Sequence, residues 1–199
     1  CIRDRSVSST FNNKNVGTGK TVTVNSITLS DGSNGGVASN YSISSGQTTT
    51  ANITAKALTV SGITASNKTY DGNTVVTLDL TGTSYSGLVS GDDVSISASG
   101  SFDNKNVGTG KTVNISSSYS GSDVGNYSIT DQATTTANIT ASVSGITVRG
   151  ITASNKTYDG NNSATLDTSN VSYSGLVEGD DVTGSFSGTF SNANVWYNK

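Results

Sequence analysis

A twelve-residue string, GITASNKTYDGN, begins at Gly62 and occurs again 88 residues later, at Gly150. The same offset relates two copies of SYSGLV-x-GDDV, the first of which begins at Ser84. Upstream, FNNKNVGTGKTVTV begins at Phe11 and matches FDNKNVGTGKTVNI, which follows 91 residues later. Repetition at this period restricts the chain to a tandem array of small modules that share one local construction.

The repeat register divides the chain into three parts, called repeats 1, 2 and 3 below. Residues 1–56 are predicted to be the C-terminal part of a first module, 57–141 a complete module, and 142–199 the N-terminal part of a third. Between the strings that they share, repeats 1 and 2 differ in length by five residues within a Gly/Ser/Asp-rich stretch, which indicates a surface loop. The string CIRDR at Cys1 and the string WYN at Trp196 depart from the repeat, so both ends are expected to be interrupted modules.

Composition narrows the class of protein. The chain contains 23 Gly, no Pro, no His, no Met and one Cys, and 13% of its residues are charged. This polar, weakly charged composition favours a secreted protein, although no signal peptide is recognisable. A net charge of −3 argues against nucleic-acid binding, which requires a basic surface. No run of about 20 apolar residues predicts a membrane-spanning helix, so no membrane insertion is expected.

Apolar residues recur at every second position, as in Val94-Ser-Ile96 and Val113-Asn-Ile115. This spacing predicts half-buried strands, and no segment has the spacing of an amphipathic helix. Strands are predicted over 57–64, 74–80, 83–89, 93–99, 111–117, 126–131 and 135–141. The predicted fold class is all-β, with tandem small β-sandwich-like or β-grasp-like modules of roughly 85–90 residues each. A continuous β-helix is the main rival, but its coil would repeat every 20–30 residues or so, and no such subperiod occurs.

A module of about 85 residues can bury a modest core without disulfide bonds, for which Cys1 has no partner. The candidate core of repeat 2 consists of Leu58, Val60, Ile63, Tyr70, Val76, Leu78, Tyr85, Leu88, Val94, Ile96, Phe102, Val113, Ile115, Tyr127, Ile129 and Ile139. Turns are predicted at Tyr70-Asp71-Gly72-Asn73, Ser90-Gly91-Asp92-Asp93, Gly108-Thr109-Gly110 and Gly121-Ser122-Asp123-Val124-Gly125.

The KTYDGN, SGLV-x-GDDV and FDNKNVGTGK strings, taken together, resemble the YDG-type repeat of bacterial surface proteins. The resemblance covers nearly the whole chain. It implies a bacterial secreted or cell-surface protein built from many β-rich modules, as in haemagglutinin-like exoproteins and adhesins, and it implies no catalytic residues. The motif that it carries over is structural and consists of Tyr70, Asp71 and Gly72, with their copies Tyr158, Asp159 and Gly160.

The YDG tripeptide has two interpretations. In the first, Asp71 and Gly72 form a turn while Tyr70 covers one edge of the core, with its hydroxyl hydrogen-bonded as is usual for a buried tyrosine. In the second, the ring of Tyr70 or Tyr158 stacks against a carbohydrate. The sequence favours the first, because the remaining aromatic residues follow the strand alternation.

The string Gly108-Thr109-Gly110-Lys111-Thr112 resembles the end of a phosphate-binding loop. The first glycine of such a loop would fall on Lys105, and the residues after Lys111 alternate as a strand instead of opening a helix. A tight hairpin turn is therefore predicted at Gly108–Gly110.

Acidic side chains that could supply oxygen ligands to calcium are Asp71, Asp92, Asp93, Asp103, Asp159, Asp180 and Asp181. They match no calcium-loop pattern and Gly-Asp pairs are typical of turns, so no cofactor is predicted, with weak calcium binding as the alternative. Catalysis by such pairs would require a buried carboxyl with a raised pKa. An isopeptide bond from Lys68 or Lys105 to a neighbouring asparagine would likewise require burial and an adjacent acid.

Three classes of function are compared. A stalk or spacer module of a surface adhesin is favoured, because the motifs recur without any sign of cleft chemistry. A directly adhesive module, binding host glycans or matrix proteins through multivalency, is the alternative. An enzyme is not expected, since His is absent and Cys does not recur. The predicted partners are neighbouring repeats of the same chain, and the predicted location is the bacterial cell surface or the secreted fraction.

Overall fold

The computed structural model describes residues 3–142 and 145–194, and the prediction of an all-β chain is confirmed. Within these ranges the backbone forms strands, turns and two short 3-10 helices, Ala38–Asn40 and Val124–Asn126. No helix in the described part is long and apolar enough to cross a membrane. Cys1 and the WYN string at Trp196, which depart from the repeat, lie outside the described residues.

Repeat 1 forms one antiparallel sheet with the strand order β1-β2-β3. The strands are β1 (Arg3–Phe11), β2 (Gly17–Ser30) and β3 (Thr48–Ile53). The pairing of β2 with β3 shifts register between Gly17 and Lys20, which marks a β-bulge inside the GTG string.

Repeat 2 contains ten strands. They are β4 (Lys56–Ser61), β5 (Thr64–Ala65), β6 (Lys68–Thr69), β7 (Val75–Val76), β8 (Leu78–Asp79), β9 (Ser84–Ser86), β10 (Ser95–Phe102), β11 (Gly108–Ser120), β12 (Tyr127–Thr130) and β13 (Thr134–Thr140). Every predicted strand coincides with an observed one, but the predicted segments 57–64 and 74–80 are each divided between two strands. The short strand β6 was not predicted.

The strands of repeat 2 form three sheets. Their orders are β6-β13-β11-β10-β7, β12-β4-β9 and β5-β8. The pairs β12/β4 and β13/β6 are parallel, whereas β4/β9 and β10/β7 are antiparallel. The parallel pairs join strands far apart in the sequence, so the fold depends on long-range contacts.

Repeat 3 repeats three of these pairings at the same offset of 88 residues. Its strands are β14 (Thr147–Arg149), β15 (Thr152–Ala153), β16 (Ser163–Ala164), β17 (Leu166–Asp167), β18 (Ser172–Ser174) and β19 (Gly188–Thr189). The antiparallel pairs β14/β18, β15/β17 and β16/β19 correspond to β4/β9, β5/β8 and β7/β10. The same local sequence therefore makes the same pairings in both repeats.

Half of the predicted core residues of repeat 2 are buried. These are Leu58, Val60, Ile63, Val76, Phe102, Val113, Tyr127 and Ile139, and Ala137 joins them. The other eight predicted core residues are half-buried, and none is exposed. Strand alternation thus identified the inward face correctly, because successive side chains of a strand point to opposite sides.

The predicted hairpin turn at Gly108–Gly110 is wrong, because these residues begin strand β11. The chain reverses earlier, where the Asp103 N–H donates to the Thr112 carbonyl at 3.0 Å. The Asn106 N–H donates to Asn104 Oδ1 at 3.0 Å in the same loop. An asparagine side chain that accepts from the backbone two residues on makes the turn without glycine.

The glycine string instead produces an irregular position within a strand. Gly110 has a φ of 59°, and its N–H donates to Asn138 Oδ1 at 2.7 Å. In repeat 1, Gly19 has the same φ and donates to Asn52 Oδ1 at 2.8 Å. Lys111 forms an ion pair with a carboxylate of the preceding loop at 3.0 Å. These contacts assign the GTGK string to strand structure in both repeats.

Backbone packing divides the chain into two compact units. Unit 1 comprises Cys1–Thr64, Leu78–Ser99 and Ile115–Thr135, and unit 2 comprises Ala65–Thr77, Gly100–Asn114 and Thr136–Lys199. Unit 1 combines residues of repeats 1 and 2, and unit 2 combines residues of repeats 2 and 3. Each contact between repeats described below lies within one unit. The module boundaries at 57 and 141 remain predictions from sequence.

Candidate functional site

The YDG turn of repeat 2, residues 70–73, is organised around the amine of Lys68. Lys68 Nζ lies 2.6 Å from Asp71 Oδ1 and donates to Asn73 Oδ1 at 2.9 Å. Asp71 also accepts the Asn73 N–H at 3.2 Å. Gly72 has a φ of 81°, a conformation that glycine adopts without steric cost. These local contacts close the turn, and the Tyr70 N–H at its start also donates to the Thr140 carbonyl at 2.8 Å.

The YDG turn of repeat 3, residues 158–161, has the same construction. Lys156 Nζ lies 2.7 Å from Asp159 Oδ1 and donates to Asn161 Oδ1 at 2.8 Å. Gly160 has a φ of 82°. Because the two turns share both sequence and local geometry, any difference between them arises from their surroundings.

The outer side of the repeat 2 turn contacts repeat 3. The Tyr70 hydroxyl donates to the carboxylate of Asp180 and lies 2.7 Å from both of its oxygens. A Cβ atom on Gly72 would lie 2.9 Å from Val177 Cγ1, so glycine is needed for this close approach. Two of the three YDG residues therefore make contacts between repeats, while Asp71 closes the turn.

Residues 89–92 and 177–180, called the GDDV turns below, are β-turns that place an aspartate at the fourth position. In each turn the aspartate N–H donates to the valine carbonyl at 3.1 Å. The third residue has a positive φ, 89° at Gly91 and 84° at Gly179. A type II turn requires this value at its third position, which explains the glycine of the GDDV string.

At the contact between repeats 1 and 2, called junction 1–2, Lys14 of repeat 1 lies between two aspartates of repeat 2. Its amine is 2.7 Å from Asp92 Oδ1 and 2.7 Å from Asp123 Oδ1. The Tyr127 hydroxyl donates to Asp92 Oδ2 at 2.6 Å. The side chains of Asp92 and Asp123 are only 10% and 11% exposed. Carboxylates this far removed from water need charged or hydrogen-bonding partners, and Lys14 supplies one to both.

An asparagine of repeat 2 also binds the backbone of repeat 1 at junction 1–2. Asn126 Oδ1 accepts the Val16 N–H at 2.9 Å, and Asn126 Nδ2 donates to Asn15 Oδ1 at 3.4 Å. The loop that carries Lys14 is thus held at two neighbouring points.

At the contact between repeats 2 and 3, called junction 2–3, Lys105 of repeat 2 binds the GDDV turn of repeat 3. Lys105 Nζ lies 2.9 Å from Asp180 Oδ1 and 5.9 Å from the centre of the Tyr70 ring. The latter distance allows a cation–π contact. Asp180 therefore accepts from a lysine and a tyrosine, both of which belong to the preceding repeat.

The two junctions use equivalent residues for their ion pairs. Lys14 and Lys105 hold the same position in FNNKNV and FDNKNV, and Asp92 and Asp180 hold the same position in the GDDV strings. The tyrosine that binds the aspartate differs: Tyr127 comes from the aspartate's own repeat, and Tyr70 from the preceding one. A lysine to aspartate contact between consecutive repeats therefore recurs with the repeat itself.

The YDG domain family matches the sequence over residues 4–51, 54–137 and 140–199. The chain belongs to the YDG domain family. The three matched segments include both YDG turns, both GDDV turns and both junction lysines. No curated protein and no solved structure matches the chain.

The junctions of these YDG repeats keep their charged groups ionised. Lys14, followed by the Tyr127 hydroxyl, holds the pKa of Asp92 below its usual range, and Lys14 does the same to the pKa of Asp123. Lys105, followed by Tyr70, lowers the pKa of Asp180. In return, Asp123 and Asp92 raise the pKa of Lys14.

These pKa directions bear on the chemistries considered from the sequence. A nucleophilic lysine needs a lowered pKa and a general acid needs a raised one, and the junction groups of this YDG chain have the opposite shifts. Within residues 3–142 and 145–194, no group of three or more His, Cys, Asp or Glu side chains is placed to hold a metal ion. The junction carboxylates bind lysine and tyrosine instead.

An open cleft of about 220 Å³ lies at junction 1–2, with Lys14, Val16, Asp92 and Tyr127 among its walls. Pockets that enclose small-molecule ligands are typically about 300–1,000 Å³ in volume. The cleft is therefore a small open gap beside the ion pair, and on its walls Asp92 already binds Lys14 and Tyr127.

Sequence reasoning placed Tyr70, Asp92 and Asp180 in turns but did not bring them together with Lys14 or Lys105. It also took Asp123 only as a turn residue, although the side chain is buried and ion-paired. The sequence signal for these contacts was the NKN string. Its lysine occurs in both repeats 1 and 2, but no acidic residue lies beside it in both copies. The partner could not be found locally, because it belongs to the next repeat.

Proposed function

We propose that this YDG chain is a non-catalytic repeat segment of a large bacterial surface or secreted adhesin, and that it acts as a stalk or spacer. The observation that carries the proposal is the placement of the motif side chains. Tyr70, Gly72, Asp92 and Asp180 all contact a neighbouring repeat. These recurring motif residues hold consecutive repeats together. A spacer requires such contacts, because its repeats must keep their positions along the chain.

The electrostatics support a non-catalytic role. Asp92 and Asp180 have lowered pKa values because lysines lie beside them, so they are poor proton donors near neutral pH. The chain has no histidine to act in their place. Its weakly charged, Ser- and Thr-rich composition supports a location outside the cell.

Direct adhesion is the second candidate, and two exposed aromatic side chains favour it. Tyr41 is 61% exposed and Tyr158 is 64% exposed. An exposed tyrosine ring offers an apolar face and a hydroxyl to a sugar or a protein. Many weak contacts of this kind could add up through multivalency.

The two candidates are separated by a binding experiment on the 199-residue chain. The chain is immobilised at low and high density and exposed to glycans and matrix proteins, with calcium or with a chelator. A spacer gives no binding at either density. Binding that strengthens with density and is lost in Tyr41→Ala or Tyr158→Ala contradicts the spacer proposal and supports adhesion. Val75→Ala, which removes an apolar side chain that is 69% exposed, is the matched control.

A further inference from the structure

The YDG turn of repeat 3 has the shape of a contact surface but lacks the contact made by repeat 2. Tyr158 is 64% exposed, and its hydroxyl makes no hydrogen bond to the described residues, whereas Tyr70 is half-buried and binds Asp180. A Cβ atom on Gly160 would meet nothing within 4 Å, whereas one on Gly72 would meet Val177. The same surface is therefore covered by the next repeat in repeat 2, whereas in repeat 3 no described GDDV turn covers it.

We propose that the YDG turn of repeat 3 is a docking surface for the GDDV turn of a further YDG repeat. The turn is already in the docked conformation, since the φ values of Gly72 and Gly160 are 81° and 82°. Their lysine to aspartate distances are 2.6 Å and 2.7 Å. A GDDV turn would place its first aspartate on the Tyr158 hydroxyl and its valine against Gly160. The proposal deepens the spacer function and rests on it for the nature of the partner.

The partner must present a free GDDV turn. Both GDDV turns of this chain are in use, since Asp92 binds Lys14 and Asp180 binds Lys105. A second copy of the chain would have to break one of these ion pairs before it could dock. The occupant is therefore a YDG repeat whose GDDV turn is not yet paired.

Docking at repeat 3 is weaker than docking at repeat 2, because the junction lysine is missing. The string FDNKN of repeat 2 contains Lys105, whereas the aligned string FSNAN of repeat 3 contains Ala193. An incoming aspartate would receive the tyrosine hydroxyl but no ammonium group. The residue at position 193 thus determines the strength of docking at repeat 3. A lysine at this position would restore the lysine to aspartate ion pair found at junction 2–3.

An extended chain tests the proposal. Residues 1–194 are joined to a second copy of residues 107–199, so that Asn194 takes the place of Asn106 in the repeat register and a fresh GDDV turn follows repeat 3. Tyrosine accessibility is read by nitration with tetranitromethane and peptide mass spectrometry. In the original chain we expect Tyr158 to react several times faster than Tyr70. In the extended chain its rate should fall towards that of Tyr70, and it should fall further with Ala193→Lys.

Control variants test whether the GDDV aspartate causes the protection of each tyrosine. Asp180→Asn placed only in the added copy should restore fast nitration of Tyr158, and the same change in the original copy should expose Tyr70. Hydrogen exchange confirms that the added strands are folded in the molecules that are scored. Nitration of Tyr158 that is unchanged by a folded extension, and unaffected by Ala193→Lys, overturns the docking proposal. That result leaves the spacer proposal standing, since only binding to the glycan or matrix panel contradicts it.

Discussion

Repeats 2 and 3 contain the same twelve-residue string and form the same strand pairs, yet their apolar side chains differ in burial. Leu58 and Ile63 of repeat 2 are 0% and 1% exposed. Their counterparts Ile146 and Ile151 in repeat 3 are 47% and 37% exposed. In repeat 2 the strand β4 lies between β12 and β9, whereas its counterpart β14 pairs with β18 alone among the described strands. Local sequence is thus sufficient for the turn and the pairing, while burial depends on what packs beside them.

The YDG turns give the same lesson at the surface. Both turns close on a lysine amine, but only Tyr70 and Gly72 are covered by a GDDV turn. Because the two turns are locally identical, each substitution in one has a matched control in the other. A difference in stability between two matched variants then measures the contact between repeats, because the contribution of the turn itself is the same in both.

The largest contrast is expected in the core. Leu58→Ala should destabilise its unit by about 2–5 kcal/mol, because a fully buried side chain leaves a cavity. Ile146→Ala should cost only about 0.5 kcal/mol, since about half of this residue is already exposed to water. Native-state hydrogen exchange of β4 and β14 measures both changes. Equal effects would mean that Ile146 is buried in solution and that the comparison between repeats is wrong.

A smaller contrast is expected at the two turn glycines. Gly72→Ala and Gly160→Ala should each cost about 1–2 kcal/mol, because an alanine is strained at positive φ. Gly72→Ala should cost about 1 kcal/mol more, since its new methyl group meets Val177. Urea denaturation monitored by hydrogen exchange compares the two. Adding Val177→Ala should remove the additional destabilisation caused by Gly72→Ala. If the additional destabilisation remains, the close approach of Gly72 to Val177 is not its cause.

The two junction lysines should also differ. Lys14→Met leaves Asp92 and Asp123 without their shared cation, whereas Lys105→Met leaves Asp180 with the Tyr70 hydroxyl. We expect Lys14→Met to lower the unfolding temperature of its unit by a few degrees and Lys105→Met to lower it less. Differential scanning calorimetry checks the order, with Arg149→Met, which removes an exposed cation of strand β14, as a control outside both junctions. The reverse order would mean that the lysine contributes more to stability at junction 2–3 than at junction 1–2.

The junctions should weaken in acid. The pKa values of Asp92, Asp123 and Asp180 are lowered in the folded chain, so the stability that they contribute is present above the unfolded value of about 3.9. It is lost as the pH falls through the lower folded values, because protonated carboxyls no longer pair with lysine. Stability should therefore fall below about pH 4, as measured by urea midpoints, and Lys14→Met should flatten the dependence of unit 1. An unchanged profile in that variant would show that Lys14 is not the cause.

The smallest contrast concerns a single hydroxyl group. Tyr70→Phe removes one hydrogen bond to Asp180 while Lys105 stays in place, so hydrogen exchange at the 177–180 turn should rise a few-fold. Tyr158→Phe should leave exchange around its own turn unchanged, because the hydroxyl of Tyr158 is free in the described part of the chain. Equal responses would indicate that the ring of Tyr70, and not its hydroxyl, makes the contact.

Several features were predictable because they are local. Alternation identified an inward face on which no predicted core residue of repeat 2 is exposed. Asp-Gly pairs located the YDG turns, and Gly-Asp pairs located the GDDV turns. The GTG string was misread as a hairpin turn for an equally local reason. A glycine with positive φ serves either a turn or an irregular strand position, and only the partner strand distinguishes them.

By itself the sequence determined the all-β class and the turn chemistry, since each depends on residues only a few positions apart, and it determined the repeat period, since identical strings recur along the chain. The tertiary structure alone decided which charges meet. Lys14 and Asp92 are 78 residues apart, and Lys105 and Asp180 are 75 apart. No local preference relates such positions, because an exposed lysine gains little from any one carboxylate. They pair because packing of consecutive repeats removes the carboxylates from water and leaves the lysine of the preceding repeat as the cation within reach.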